Sequence, residues 1–89
     1  MLQPSFHRQF KKDLDRMVKR GKDSEKVKEV IIILVNQQEL AGKYRDHKLS
    51  GNYSGRRECH IEPDWLLIYK ISEDSIIFER TGTHSDLFR

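Results

Sequence analysis

One cysteine, two prolines and no long apolar run leave the chain without several common devices of protein architecture. Cys59 has no second thiol to pair with, so an internal disulfide is excluded, and a zinc site built on thiolates needs more cysteines than are present. The longest unbroken apolar stretch, Val30 to Val35, is far shorter than the ~18–20 residues that cross a bilayer, which excludes a spanning helix. Near the N-terminus, Pro4 and then His7-Arg8-Gln9-Phe10-Lys11-Lys12 stand where a secretory leader would carry its apolar core. A cytoplasmic location without a leader is the resulting expectation. At 89 residues, 36% hydrophobic and 9% aromatic, the chain has material for one domain, 1–89, around one core.

What the chain does have is charge, at 35% of residues, and apolar side chains gathered into periodic segments, which argues for order. The net +3 is unevenly placed. Residues 1–22 sum to +5 and residues 23–89 to −2, with a second basic concentration at Lys43, Arg45, Lys48, Arg56 and Arg57 around Asp46. Two basic zones suit a polyanionic partner, although solvated Lys-rich helix faces account for them equally well.

Pro4 keeps Leu2-Gln3-Pro4 out of a helix interior and makes it a short edge strand or extended lead-in. From about His7 to Arg20, Phe10, Leu14, Met17 and Val18 fall on one helical face. Gly21 stops that helix, and Asp23 or Ser24 caps a second one running to about Gln37. The short connection makes the two helices antiparallel neighbours. Val27, Val30, Ile31, Leu34 and Val35 form the second buried face, and Ile32 and Ile33 widen it toward contact on two sides. Residues 36–46 read as a polar connector, after which the apolar period changes from 3.6 to 2. Arg56 to Glu62 alternates Arg57, Cys59 and Ile61 with Arg56, Glu58, His60 and Glu62. Pro63-Asp64 turns the chain into an apolar strand from Trp65 to Ile71, and Glu73-Asp74 turns it again into Ser75 to Thr81. A two-residue loop there pairs Leu67 with Arg80, and a three-residue loop pairs Leu66 with Arg80. Residues 83–89 form a short tail from which Leu87 and Phe88 can pack back. Helices first and strands after give a two-layer α+β domain, a helical hairpin on a mainly antiparallel sheet of about four strands.

The polar residues His47, His60, Asp64, Arg80 and His84 all lie in the sheet half, and the meander can bring His60, Asp64 and His84 to one sheet edge. Metal-free cleavage of RNA needs a base for the 2′-hydroxyl, donors for the phosphoryl oxygens and an acid for the 5′-oxygen. Histidine serves as acid or base near neutral pH, and a nearby carboxylate sets its tautomer. Arg80 carries a fork suited to phosphoryl oxygens, while Trp65 and Phe88 can stack on bases. Each assignment has a plainer competitor. A histidine is more often a hydrogen-bonded surface residue, Trp65 a core residue, Phe88 a plug for the tail, and Arg80 a partner for Glu58 or Glu79. Zinc held by His47, His60, Asp64 and His84 is chemically allowed but lacks compact ligand spacing. Cys59, on the apolar face of its strand, reads as a buried inert thiol. These patterns alone leave a nuclease, an RNA-binding module and a protein-interaction domain open.

Four strings carry a resemblance: Tyr44-Arg45-Asp46-His47, Leu49-Ser50-Gly51-Asn52-Tyr53, the run from Arg57 to Tyr69, and Arg80-Thr81-Gly82-Thr83-His84-Ser85-Asp86-Leu87-Phe88. In this order and spacing the sequence resembles the YafQ branch of the RelE/ParE toxin superfamily, with Phe10-Lys11-Lys12-Asp13-Leu14 also fitting the first helix. The resemblance implies a RelE-like fold and a bacterial type II toxin: a ribosome-dependent, metal-independent endoribonuclease that cuts mRNA in the ribosomal A site and stops translation. It places catalytic roles on His47, His60, Asp64 and His84, with His84 foremost as general acid or base. Substrate contacts fall on Trp65, Arg80 and Phe88. No metal or organic cofactor is implied. The implied partners are the ribosome, mRNA and a cognate antitoxin that covers or distorts the site, the toxin alone being monomeric. Two alternatives are a non-enzymatic relative that poisons gyrase by binding, as ParE toxins do, and a module that only binds RNA.

Overall fold

The computed structural model describes residues 1–88. In chain order it contains β1 (Gln3–Phe6), α1 (Arg8–Lys19), α2 (Ser24–Val35), a 3₁₀ turn at Gly42–Tyr44, β2 (His47–Lys48), a second 3₁₀ turn at Gly51–Tyr53, β3 (Arg57–Glu62), β4 (Trp65–Ser72), β5 (Ser75–Gly82) and α3 (His84–Leu87). The strands make one five-stranded sheet in the order β1-β5-β4-β3-β2. β1 runs parallel to β5, and every other pairing is antiparallel. The architecture is the expected α+β one, with a fifth strand gained because β2 pairs two residues from the connector, His47 and Lys48, with Glu58 and Arg57. No helix among the described residues is long and apolar enough to cross a membrane.

The helical periodicity explains the main core. Phe10 and Met17 of α1 and Val27, Val30 and Leu34 of α2 are buried against Cys59, Leu67, Tyr69, Ile76 and Phe78 of the sheet. Gly21, at φ 95°, takes the left-handed backbone that ends α1, and the Asp23 side chain caps α2 by accepting from Glu25 N at 3.0 Å. The other sheet face has a smaller apolar patch, Leu66 and Ile68 beneath Leu87 of α3, with Leu49 and Tyr53 beside it. Within the expected C-terminal tail, His84–Leu87 therefore form a one-turn helix that covers this second face, and Arg89 lies outside the described residues.

Three expectations are corrected. Val18 is exposed, because α1 turns its Asp13, Phe10 and Met17 side inward and leaves Val18 at the margin. Ile32 is 59% exposed: α2 lies on one sheet face only, so nothing covers its far side. The β4–β5 register matches neither alternative. The loop has two residues, Ser72 pairs with Ser75 and Tyr69 with Phe78, but Arg80 then pairs with Ile68 because Glu79 is an extra residue in the ladder. Glu79 is buried and accepts from Arg56 Nε at 2.8 Å.

Downstream of that bulge the outer edge of β5 has no strand beside it, since β1 pairs with Ser75 to Phe78 only. The fully buried Asp13 carboxylate of α1 fills the gap. It accepts from Thr81 N at 3.2 Å, from Arg80 Nε at 2.7 Å and Nη2 at 3.3 Å, and from Gln9 and Arg16, both at 3.0 Å. Asp13→Ala leaves a strand amide and a partly buried guanidinium without an acceptor. The expected loss is about 3 kcal/mol, a fall in melting temperature of roughly 12–24 °C for a domain of this size, read by calorimetry. Ile32→Ser is expected to change stability by less than about 0.5 kcal/mol.

Candidate active site

The site is assembled on the α3 face, where the ends of β3, β4 and β5 meet. Strand alternation puts Glu58 and His60 on this face of β3, while Cys59 faces the helices, fully buried, its thiol pushed up to about 12 by desolvation. The buried thiol has the inert character expected for it. Pro63 and Asp64 form the tight turn into β4, and Pro63 O accepts from His60 Nδ1 at 3.3 Å.

Two devices position α3. Thr83 and Asp86 form a capping box, Thr83 Oγ1 accepting from Asp86 N at 3.1 Å and Asp86 Oδ2 from Thr83 N at 2.9 Å. Glycine suits the backbone before it, since a Cβ on Gly82 would lie 3.0 Å from the Asp86 side chain and press it away from the box. Arg20, just past the end of α1, then donates to Asp86 through both terminal nitrogens at 2.7 and 3.2 Å. Arg20 and the Thr83 amide hold the Asp86 carboxyl well below the usual carboxylate range.

His84 is aimed by Asp64. One carboxylate oxygen, Asp64 Oδ1, accepts from the His84 backbone amide at 2.9 Å and from its Nδ1 at 2.6 Å. These donors, the amide first, depress the Asp64 carboxyl. With Nδ1 committed as a donor, Nε2 is the ring nitrogen left for proton exchange on this half-exposed residue. His60 lies 5.8 Å from His84 between ring centroids and His47 a further 6.1 Å from His60, making a row of three imidazoles. The half-exposed Phe88 continues the row 6.4 Å beyond His84, its ring edge-on to Tyr53 at 5.5 Å. His47 Nδ1 meets Arg45 O at 2.6 Å and its Nε2 meets Glu58 Oε2 at 3.0 Å.

The remaining sequence candidates fall differently. Trp65 is fully buried and donates from Nε1 to Thr81 Oγ1 at 2.9 Å, so it cannot present a face to a base. An irregularity in the β3–β4 ladder between His60 and Glu62 pairs Trp65 with Glu62, and the ring joins the helix-side core. Arg80 is held by Asp13, not by Glu58 or Glu79, and stays about a quarter exposed beside Tyr53. Three participants escaped the sequence reading. Glu58 shares the polar face of β3 with His60 two residues away, a signal that was available. Tyr53 and Arg20 reach the site from distant segments, with no local signal.

The metal grouping also differs from the zinc set considered above. His47, Glu58 and His60 bring one donor atom each within 4.8 Å of one another, while Asp64 and His84 pair with each other. Glu58 Oε1 is buried without a hydrogen-bond partner among the described residues. Two imidazoles and a carboxylate suit a divalent ion such as zinc.

A family model described as the bacterial toxin of a type II toxin–antitoxin system, YafQ, matches residues 2–89. The chain belongs to the YafQ family. It is 46% identical over 81 residues to the mRNA interferase toxin YafQ of Escherichia coli K12, covering 90% of this chain and 88% of that protein. The YafQ structure in the E. coli DinJ–YafQ complex superposes with a TM-score of 0.92 at 41% identity over the whole of both chains. A metal-bound toxin from Helicobacter pylori gives 0.92 at 42% identity, covering 99% of this chain and 100% of that one. These likenesses establish the toxin family and agree with the sheet and helix arrangement described above.

In this YafQ-family chain the depressed Asp86 carboxyl ties site geometry to pH. A carboxyl lowered on folding stabilises the native state above its unfolded value, near 4, and that contribution is lost as pH falls through the folded value. Wild type is expected to lose stability progressively below about pH 5. Asp86→Asn is expected to melt lower at pH 7 and to converge on wild type in acid, as followed by thermal denaturation across pH.

Proposed function

We propose that this type II toxin is an mRNA interferase, an endoribonuclease that cuts mRNA in the ribosomal A site by general acid–base catalysis without a metal. The observation that carries the reading is the His84–Asp64 pair at 2.6 Å, heading a row of imidazoles with His84 Nε2 unused. The near full-length likeness to the E. coli mRNA interferase supports it. In this mechanism one imidazole takes the proton from the 2′-hydroxyl, the 2′-oxygen attacks phosphorus, and the bond to the 5′-oxygen breaks. A second imidazole protonates that oxygen, leaving a 2′,3′-cyclic phosphate and a 5′-hydroxyl. His84 and His60 are the proton carriers, Asp64 fixes the His84 tautomer, and Glu58 orients the His47 ring beside the phosphoryl group. Arg80 adds positive charge, and Phe88 offers an exposed ring to a base. Such proton transfer supplies typically 10²–10⁴-fold.

The basic residues of α1 and of the 43–57 region meet ribosomal and messenger RNA phosphates, an attraction that salt weakens. The cognate partner is an antitoxin, as DinJ is for the E. coli toxin, and the setting is the bacterial cytoplasm. A purely binding toxin has no need of three aligned histidines and an orienting carboxylate, which weighs against the gyrase and RNA-binding alternatives.

The test is translation of a reporter message in a bacterial cell-free extract, with cleavage ends mapped. Wild type is expected to cut ribosome-bound mRNA, and His84→Ala to cut it about 10²-fold or more slowly. Phe88→Ala should raise the concentration needed for half-maximal cutting. Undiminished cleavage by His84→Ala sinks the catalytic assignment. A chelator is expected to leave the rate unchanged, whereas loss on chelation with recovery on adding zinc would move the chemistry to an ion at His47, Glu58 and His60.

A further inference from the structure

A groove of about 490 Å³ runs from the imidazole row to the first turns of α2. Its near end is His60 and Pro63, its floor includes Ile61, and its two walls differ in charge. On the α2 wall the charges are already balanced: Glu62 accepts from Lys22 at 2.6 Å and from Lys26 at 2.7 Å, and Glu29 adds to the field at Lys26. The opposite wall is the 3₁₀ turn with Lys43, Tyr44 and Arg45. Both cations there are exposed, and neither has an acidic partner among the described residues. Lys43 Nζ rests 5.1 Å from the centre of the Tyr44 ring. By contrast Arg56, Arg57 and Arg80 nearby are each paired with a carboxylate. Arg45 sits in left-handed backbone at φ 50°, and its carbonyl is the acceptor for His47 Nδ1. The cationic wall is thus joined to the imidazole row by one hydrogen bond.

We infer that this groove is a second nucleotide subsite, which holds the RNA nucleotide next to the cleaved one with its phosphate on Lys43 and Arg45. The inference rests on the mRNA-cleaving reading and adds to it a place for the strand to leave the site. The volume lies within the range of small-ligand pockets. The free positive charge lines one wall only, which suits a backbone phosphate on that side and a sugar and base against the apolar floor. An RNA strand is favoured over an acidic peptide because His60, one of the imidazoles that would act on that strand, lines the groove.

The test uses short 2′-O-methylated oligoribonucleotides, which cannot be cleaved because the attacking oxygen is blocked, titrated into the isotope-labelled toxin and followed by NMR. A trinucleotide is expected to shift the amides of Lys43, Tyr44, Arg45 and Glu62, and a mononucleotide is not. The Lys43→Ala/Arg45→Asn double variant should bind the trinucleotide at least about tenfold more weakly, asparagine being chosen because it tolerates left-handed backbone. Its affinity should also depend less on salt, by about 0.7 in the logarithmic slope for one lost phosphate contact to a single strand. Lys70→Gln, which removes one charge at a distance, should do neither. Shifts confined to the histidines and Phe88, with equal affinity in the double variant, overturn the subsite and leave the cleavage reading standing. Groove shifts produced by an acidic peptide and not by RNA overturn it in favour of a protein partner. The mRNA-cleaving reading itself is judged separately, by wild type against His84→Ala on ribosomes.

Discussion

The Asp13 carboxylate occupies the place where a neighbouring strand would otherwise continue. β1 leaves the sheet after pairing with Phe78, so Thr81 would present an unpaired amide and Arg80 an unneutralised guanidinium beside the core. One buried side chain, which takes five hydrogen bonds among the described residues, answers both needs and fastens α1 to the last strand. An unpaired buried polar group costs about 1–3 kcal/mol, so this contact constrains how α1 can lie on the sheet. Everything downstream is placed from that fixed strand end.

From there the site follows in short steps. Gly82 allows the chain to close against Asp86, the capping box starts α3, and Arg20 reaches across from the end of α1 to the same carboxylate. The helix carries His84 and Phe88, and the β3–β4 turn supplies Asp64 to hold His84 from the other side. Both α1 and the sheet therefore set the position of one imidazole. Short-range hydrogen bonds with few rotatable links are what hold proton-transfer groups at useful distances.

Much of this was legible in order and type. Apolar periods located both helices and the strands β3 to β5, and the Pro63-Asp64 and Glu73-Asp74 pairs located their turns. Periodicity failed at the margins of the buried faces: Val18 lies at the edge of the α1 stripe, and Ile32 on the side of α2 that no second layer covers. Register failed at Glu79, since a bulge leaves no local mark when the extra residue is a buried glutamate paired to a distant arginine. Trp65 went to the core because it shares the helix-facing side of β4 with Leu67 and Tyr69. His47, His60, Asp64 and His84 were singled out by residue type and lie together in the structure, whereas Glu58, Tyr53 and Arg20, which also reach this region, were not singled out.

The sequence by itself determined the α+β order of elements, the burial of Cys59, the basic surface and the residue types from which a site could be made. Those properties follow from local propensity, alternation and charge, which each segment carries alone. Only the tertiary structure decided which of these side chains meet. Arg80 chose Asp13 from α1, His47 drew Glu58, Asp86 drew Arg20, and Lys43 and Arg45 were left without an acidic partner among the described residues along a groove. Pairings between residues up to 67 positions apart depend on strand register and helix placement, and these are set by packing of the whole chain.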